Sequence, residues 1–339
     1  MAKRVPGNTI RSAVIGYGPA CNMGKLHATY MNDNPDFELK AIADTNPARG
    51  EEARRDFPNA DFYVDPAKML RRDDIDLVSC VVPHNVHAKV VLACLRAGKH
   101  AIVEKPMCIN TKEATSMIET AKKKGLVFTV FQNRRLDGDY LAIREVIDQG
   151  LIGDVFQVDI FGGGYHEPRA GNWRCDKKTC GGALYDWGAH FVDWALGLVP
   201  AKIVNVTGFV HKLVWDKVTL EDQARAVIRF ANGCVADITN SNIDMVGKER
   251  WRVLGTKGGI TLGPNNTLKV RTRVDGYNAE LSVPHKPTRW EQYYVKIADH
   301  LLRGGPLFVK PEEARRAIGV IESIDKSAKA KKSVPVPFE

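Results

Sequence analysis

Between residues 11 and 131 short apolar runs alternate with segments of helical periodicity, and this alternation limits the fold more than any other feature of the chain. It predicts strands over residues 12–15, 37–43, 61–64, 76–82, 100–103 and 126–131. The runs at 76–82 and 126–131 are almost wholly apolar, β-branched or aromatic, as expected of strands covered by helices on both faces. Helix ends are marked between them. Asp65-Pro66 supplies an N-cap and an N1 proline, Asn110 with Glu113 resembles a capping box, and Gly98 and Gly125 stand where C′ glycines belong. The expected fold class is α/β, beginning with a doubly wound parallel sheet with right-handed crossovers. Ligands of such sheets sit outside the carboxyl ends of the strands.

After residue 131 the period changes. A helix over residues 140–149, closed by Gly150, is followed by alternating runs at 154–161, 202–214, 223–230, 234–243, 250–254 and 267–274. These predict a C-terminal α+β domain with a large open, mostly antiparallel sheet, and helices over 290–302 and 311–326 end the chain. A length of 339 residues suits two cores. The expected domains are 1–131, binding a dinucleotide, and 132–339, carrying substrate and oligomer contacts, with the C-terminal helix packing back on the first. Apolar residues make up 44% of the chain, and no apolar run approaches the roughly 18 residues of a membrane span, so no membrane role is expected. The basic N-terminus lacks the apolar region of a signal peptide, and the seven scattered cysteines form no C-x-x-C pair; both fit a cytoplasmic protein with reduced thiols. The net charge of +9 does not indicate nucleic acid, because Lys122–Lys124 ends a predicted helix, Lys329, Lys331 and Lys332 lie in the tail, and no aromatics interleave with either group.

The first strand ends in Gly16-Tyr17-Gly18-Pro19-Ala20-Cys21-Asn22-Met23-Gly24. Two glycines directly after a buried strand let the chain turn tightly and let its backbone approach a pyrophosphate, with a helix N-terminus behind to favour the anion. Gly16, Gly18, Pro19 and Ala20 are assigned to that cradle, against the alternative of an ordinary glycine turn. Gly24 comes three positions later than in Gly-x-Gly-x-x-Gly and serves a different contact or none. The second strand ends at Asp44-Thr45, where an acid accepts hydrogen bonds from ribose hydroxyls and repels a 2′-phosphate. With only Arg49 as a nearby cation, NAD is favoured as cofactor and NADP is not excluded; Asp44 is also a candidate N-cap for a helix starting near Pro47. Pro83, His84 and His87 follow the fourth strand and are candidates for the cofactor wall, set against packing or capping roles. The fifth strand delivers Glu104-Lys105-Pro106, where proline keeps Lys105 extended and so fixes the direction of its side chain.

Together, Gly-x-Gly after strand one, Ala-Asp-x-Asn-Pro after strand two, Pro-x-x-x-His after strand four, Ala-Gly-Lys-His-x-x-x-Glu-Lys-Pro at strand five and Gly-Gly-x-Leu-x-Asp-x-Gly-x-His beyond resemble the Gfo/Idh/MocA family of oxidoreductases over almost the whole length. The resemblance implies a Rossmann domain ahead of the substrate domain, with Lys105, Asp186 and His190 at the reacting hydroxyl. It further implies Gln132 at the nicotinamide, Asn133 and Arg134 toward substrate, Trp173 and Arg174 against the cofactor, and a dimer or tetramer formed through the open sheet. Glu104 is grouped with Lys105, and Thr45 with Asp44, on the cofactor side. The chain departs from the family pattern in its lengthened glycine loop, in His84 where asparagine is common, and in Cys180 where a third glycine is frequent.

If the stretch from about Ala183 is helical, Asp186, His190 and Asp193 share one face. A metal site, a satisfied buried cluster and a catalytic set all fit such a face. No metal is expected, since ligands on one helix need partners from elsewhere and no matching motif appears. The catalytic reading is preferred because Lys105 supplies a missing partner. Oxidising a secondary alcohol requires a proton to leave oxygen as hydride leaves carbon. His190 is the natural base near neutrality, Lys105 would stabilise alkoxide charge, and Asp186 would position the substrate, with lysine as the alternative base. Tyr165 and His166, after Gly162-Gly163-Gly164, are expected to stack on or hydrogen-bond a sugar ring. The expected activity is an NAD(P)-dependent dehydrogenase of a sugar, cyclitol or polyol; a reductase of a keto or anhydro sugar and a cofactor-sensing regulator are the alternatives.

Overall fold

In a computed structural model, Val5, residues 7–19 and residues 22–339 are described. Ala20, assigned above to the cradle, and Cys21 lie outside the described residues. Strands and helices alternate through the first unit, which comprises residues up to Phe131 together with Glu291–Arg315. The elements are β1 (Ile10–Ile15), α1 (Met23–Asn32), β2 (Phe37–Ala43), α2 (Arg49–Asp56), β3 (Asp61–Tyr63), α3 (Pro66–Leu70), β4 (Leu77–Cys80), α4 (His87–Arg96), β5 (His100–Glu104), α5 (Thr111–Lys124) and β6 (Phe128–Phe131). The sheet runs β3-β2-β1-β4-β5-β6 with every pair parallel, so the order reverses between β1 and β4. That reversal opens a crevice at the carboxyl ends of these two strands.

The local signals set these boundaries. Asp65 accepts from the Ala67 amide at 2.9 Å and Asn110 from the Glu113 amide at 2.9 Å, while Gly98 and Gly125 take φ of 81° and 65° behind their helices. All of β4, β5 and β6 is buried, as helices on both faces require. β1 begins two residues earlier than its apolar run, because the polar Arg11 is matched by Asp76, whose carboxylate accepts from its Nε at 2.8 Å and Nη2 at 2.6 Å. β4 is shorter than predicted, since the chain after Cys80 leaves the ladder for the turn at His84–Val86.

The second unit comprises Gln132–Trp290 and Arg316–Glu339. It opens with α6 (Gly138–Asp148) and contains α7 (Lys177–Cys180), α8 (Trp187–Leu198), β7 (Val155–Gly163), β8 (Ile203–His211), β9 (Gln223–Phe230), β10 (Val235–Ser241), β11 (Trp251–Gly255), β12 (Gly258–Gly263), β13 (Thr267–Val274) and β14 (Tyr277–Pro284). The eight strands lie in the order β14-β13-β12-β11-β7-β10-β9-β8, antiparallel except where β7 and β10 pair in parallel. Two strands escape the hydropathy pattern. β12 opens on Gly258-Gly259, and β14 has no buried face to write an alternation. The chain ends in α9 (Gln292–Ala298), which belongs to the first unit, and α10 (Pro311–Ala330). No helix among the described residues is long and apolar enough to cross a membrane.

The last turns of α10 cover the edge strand β8. Gly208 donates its amide to Ser327 Oγ at 2.9 Å, and Val206 pairs with Val334 in a short antiparallel bridge, so backbone groups that an edge would expose are satisfied. A Cβ at Gly208 would stand 2.3 Å from the Ile324 carbonyl oxygen and 2.7 Å from Ile324 Cγ2. Gly208→Val is therefore expected to destabilise the second unit by about 1–3 kcal/mol, the usual cost of overpacking, seen as a lower urea midpoint at unchanged slope. An unchanged midpoint would show that α10 moves away at no cost.

Candidate functional site

The glycine turn after β1 is built by close approach. Gly16 has φ 102°, and a Cβ there would stand 1.8 Å from the Val81 carbonyl oxygen, so only glycine fits between β1 and the β4 exit. Gly24, in the first turn of α1, would place a Cβ 2.1 Å from the Gly16 carbonyl oxygen; the late third glycine thus seats the helix against the turn. Apart from its chain neighbours, no atom of the described residues lies within 4 Å of where a Gly18 Cβ would be, leaving open space above the turn among them. α1 has no side-chain cap and no acid in its first turn, which leaves its N-terminal amides without a local carboxylate.

Asp44 closes the same crevice from β2. Its Oδ2 accepts from the Tyr17 amide at 2.6 Å and its Oδ1 from the Asn46 amide at 2.8 Å, which leaves each oxygen a lone pair for a further donor. It does not cap a helix, because α2 starts at Arg49 with Ala48 in the N-cap position. Thr45 is exposed beside it. Arg49, the cation that would have countered a 2′-phosphate, already pairs with Glu52 at 3.0 Å. Tyr17 fixes the turn from the other side by donating its hydroxyl to Asp56 at 2.7 Å.

The exits of β4 and β5 are held by buried histidines. Pro83 leads into the single turn His84–Val86, and the buried His84 ring lies 5.5 Å from that of His87. His87 is fully buried, with Nδ1 2.8 Å from the Pro106 carbonyl and Nε2 2.8 Å from the Val82 carbonyl, so it ties the two strand exits together. Burial pushes its pKa down against the pull of both carbonyls, so the imidazole is neutral near pH 7 and one nitrogen at a time donates. Lys105 is half-buried, and the Lys105–Pro106 bond is cis, an isomer no sequence signal announced. Glu104 points inward. Its Oε1 meets His27 Nε2 at 2.9 Å and its Oε2 accepts the Lys105 amide at 3.0 Å. Burial alone would raise the Glu104 pKa, but the His27 hydrogen bond and the nearby Lys105 charge outweigh it and hold the carboxyl below its usual range.

In the second unit the predicted helical face needs correction. Both backbone groups of Ala183 are taken by distant side chains, its amide by Glu221 at 2.9 Å and its carbonyl by Asn240 Nδ2 at 3.0 Å. Residues 183–186 therefore form a turn, and α8 starts at Trp187 with Asp186 at its N-cap position. Asp193 does not join a site; Arg135 grips it in a two-pronged pair at 2.8 and 2.6 Å. His190 is buried among Trp187 and Trp194, at ring distances of 5.9 and 6.3 Å. Asp186 is partly exposed, 3.9 Å from Arg174 Nε, and the Arg174 guanidinium lies 4.3 Å over the Trp173 ring. That link from the Trp173-Arg174 turn to Asp186 was not legible in the sequence.

The remaining candidates fall in different settings. Arg134 is held between the Trp187 and Trp290 rings at 4.5 and 5.2 Å and paired with Asp137 at 2.8 Å. Asn133 is buried at the start of the same turn. Gln132 is buried and its Oε1 has no hydrogen-bond partner among the described residues. Tyr165 and His166 are exposed, with Tyr165 edge-on to Trp215 at 5.4 Å. No group of three metal-ligating side chains occurs among the described residues.

The open space over Gly18, the glycine contacts that bring α1 to the turn, and the remaining acceptor capacity of Asp44 fit a dinucleotide: pyrophosphate at the turn, ribose hydroxyls at the carboxylate. Comparison with known proteins agrees. The model of the oxidoreductase family with NAD-binding Rossmann fold, GFO_IDH_MocA, matches residues 10–132, and that of the GFO/IDH/MocA C-terminal domain matches residues 140–261. Similar curated proteins include scyllo-inositol 2-dehydrogenase (NADP(+)) IolW of Bacillus subtilis, 25% identical over 96% of this chain and 96% of the relative. Myo-inositol 2-dehydrogenase of Thermotoga maritima is 27% identical over 96% and 98%. The crystal structure of an NAD-binding protein from Listeria innocua superposes with a TM-score of 0.85 at 25% identity, over 98% of both chains. The chain belongs to the Gfo/Idh/MocA family and is an NAD(P)-dependent oxidoreductase.

Proposed function

We propose that this enzyme oxidises a secondary hydroxyl of a sugar, cyclitol or related polyol, with NAD as acceptor. The observation that carries the reading is Lys105 at the end of β5, fixed on one side by Glu104 and on the other by a proline whose carbonyl His87 holds. The inositol dehydrogenases among the relatives support the substrate class. Bound NAD supplies the hydride-accepting chemistry. His190 accepts the hydroxyl proton as the carbon is oxidised, a role to which an imidazole is suited near neutral pH. Lys105 donates a hydrogen bond to the same oxygen as charge grows on it, a contribution of about 3 kcal/mol in a water-poor site. Asp186 orients the hydroxyl, and Arg174 balances its charge. Asp44 binds the adenosine ribose and disfavours a 2′-phosphate, with Arg49 engaged by Glu52.

The second unit also supports a homo-oligomer. Its helices pack on one face of the eight-stranded sheet. The other face carries ladders of paired charge such as Arg252–Asp159 at 2.7 Å, and Phe209 is exposed on the same sheet. A sheet of this size with one bare face is a natural self-association surface.

Three measurements test these points. Absorbance of reduced nicotinamide is followed with myo-inositol, scyllo-inositol, D-glucose and related sugars; Lys105→Ala and His190→Asn are expected to lower kcat/KM on the substrate found by about 100-fold or more. Wild-type turnover in either variant overturns its role. Fluorescence titration is expected to give at least about tenfold tighter binding of NAD than of NADP, and Asp44→Ser narrows that ratio by weakening NAD and admitting the phosphate. A preference for NADP in the wild type refutes the Asp44 reading. Sedimentation equilibrium is expected to give a dimer or tetramer, and a monomer at micromolar concentration overturns the sheet-face assignment.

A further inference from the structure

Behind Lys105 lies a chain of four buried polar side chains that the proposed reaction does not use. Ser79 Oγ lies 2.9 Å from the Tyr294 hydroxyl, that hydroxyl 2.5 Å from His27 Nδ1, His27 Nε2 2.9 Å from Glu104 Oε1, and Glu104 Oε2 3.0 Å from the Lys105 amide. Ser79, His27 and Tyr294 are wholly buried and Glu104 nearly so. They come from β4, α1, α9 and β5 of one unit. Burying four polar groups in an aromatic core, with Phe131 4.3 Å from the His27 ring and Phe37 5.6 Å from that of Tyr294, is costly unless every donor finds an acceptor.

With His27 neutral, one assignment satisfies all of them. The Lys105 amide can only donate, so Glu104 accepts there. Glu104 is held ionised, so it also accepts from His27 Nε2–H. His27 Nδ1 is then the acceptor, and Tyr294, whose phenol burial pushes far up, keeps its proton and donates. Ser79 donates to Tyr294. Every bond points the same way, toward the carboxylate adjoining Lys105. The chain ends at Ser79 beside Met31 in the core, so it has no outlet to carry protons to solvent. What it does is fix the rotamer and charge of Glu104.

We propose that His27, Tyr294 and Ser79 are positioning residues which lock the Glu104 carboxylate and, through it, set the placement and reactivity of Lys105. The inference rests on the reading of Lys105 as the charged centre of the site. His87 holds the Pro106 carbonyl on the other side, so the lysine is bracketed by a histidine contact to the residue before it and another to the residue after it. His27→Leu removes both hydrogen bonds of the ring. His27→Gln keeps one acceptor and one donor, and Tyr294→Phe removes a single oxygen.

The test reads the lysine directly. Trace acetylation with acetic anhydride, quantified by mass spectrometry, gives the reactivity of Lys105 relative to the exposed Lys217 in the same folded chain. His27→Leu and Tyr294→Phe are expected to change that ratio by about threefold or more, the worth of one such hydrogen bond, while His27→Gln stays within about twofold of wild type. In turnover the same two variants lower kcat with KM for NAD unchanged. If His27→Leu does not fold, Tyr294→Phe decides alone. A wild-type ratio in folded Tyr294→Phe overturns the proposal. Lys105→Ala is assayed alongside: if it turns over like wild type, the proposed function falls, while the labelling ratios still decide whether the relay controls this amine.

Discussion

A carboxylate buried at the end of a parallel strand is the interaction on which the first unit turns. Glu104 sits where β5 leaves the sheet, and an ionised carboxyl there would cost several kcal/mol without partners. His27 brings α1 to it and the Lys105 amide closes its second oxygen. Because His27 is fixed, α1 is fixed, and Gly24 on that helix then meets the Gly16 carbonyl. The glycine turn and the lysine are thereby referenced to one another through one helix. The segment Glu291–Arg315 supplies Tyr294, which is why a stretch far along the chain belongs to the first unit.

The second unit positions its polar groups by another means, close aromatic packing. A Cβ at Gly162 would stand 2.3 Å from the Phe191 ring, so α8 can lie directly on β7. Trp194 then stacks with both Phe191 and Tyr140 and lies 4.9 Å from the tilted Trp251 ring. Two of the polar contacts around this cluster tie it to the turn before α6. Trp194 donates to the Arg134 carbonyl at 3.0 Å, and Asp193 takes Arg135. His190, one helical turn before Trp194, is carried by a rigid element and not by a loop.

These differences explain what the sequence could and could not disclose. Caps at Asp65 and Asn110 and the C′ glycines act within a few residues, and β4, β5 and β6 are buried on both faces, so pattern and structure coincide there. The late start of α8 was hidden because Glu221 and Asn240, which hold Ala183, are 38 and 57 residues away. The partners of His27 are 77 and 267 residues distant, and a lone histidine between Leu26 and Ala28 carries no mark of either. Arg134 was expected to face substrate, yet two indoles and Asp137 engage it, a setting that only the fold creates.

The lengthened glycine loop shows the same distinction at its sharpest. By spacing, Gly24 stands too late to be the third glycine of a dinucleotide turn. By contact it does that glycine's work, since what the motif requires is a helix close enough to touch the carbonyl of the first glycine, and 2.1 Å to a missing Cβ meets that condition. The added residues lie in sequence between Gly18 and Gly24. The contact between Gly16 and Val81 is made all the same. The physical constraint is a distance between backbones, and sequence spacing is only its commonest consequence.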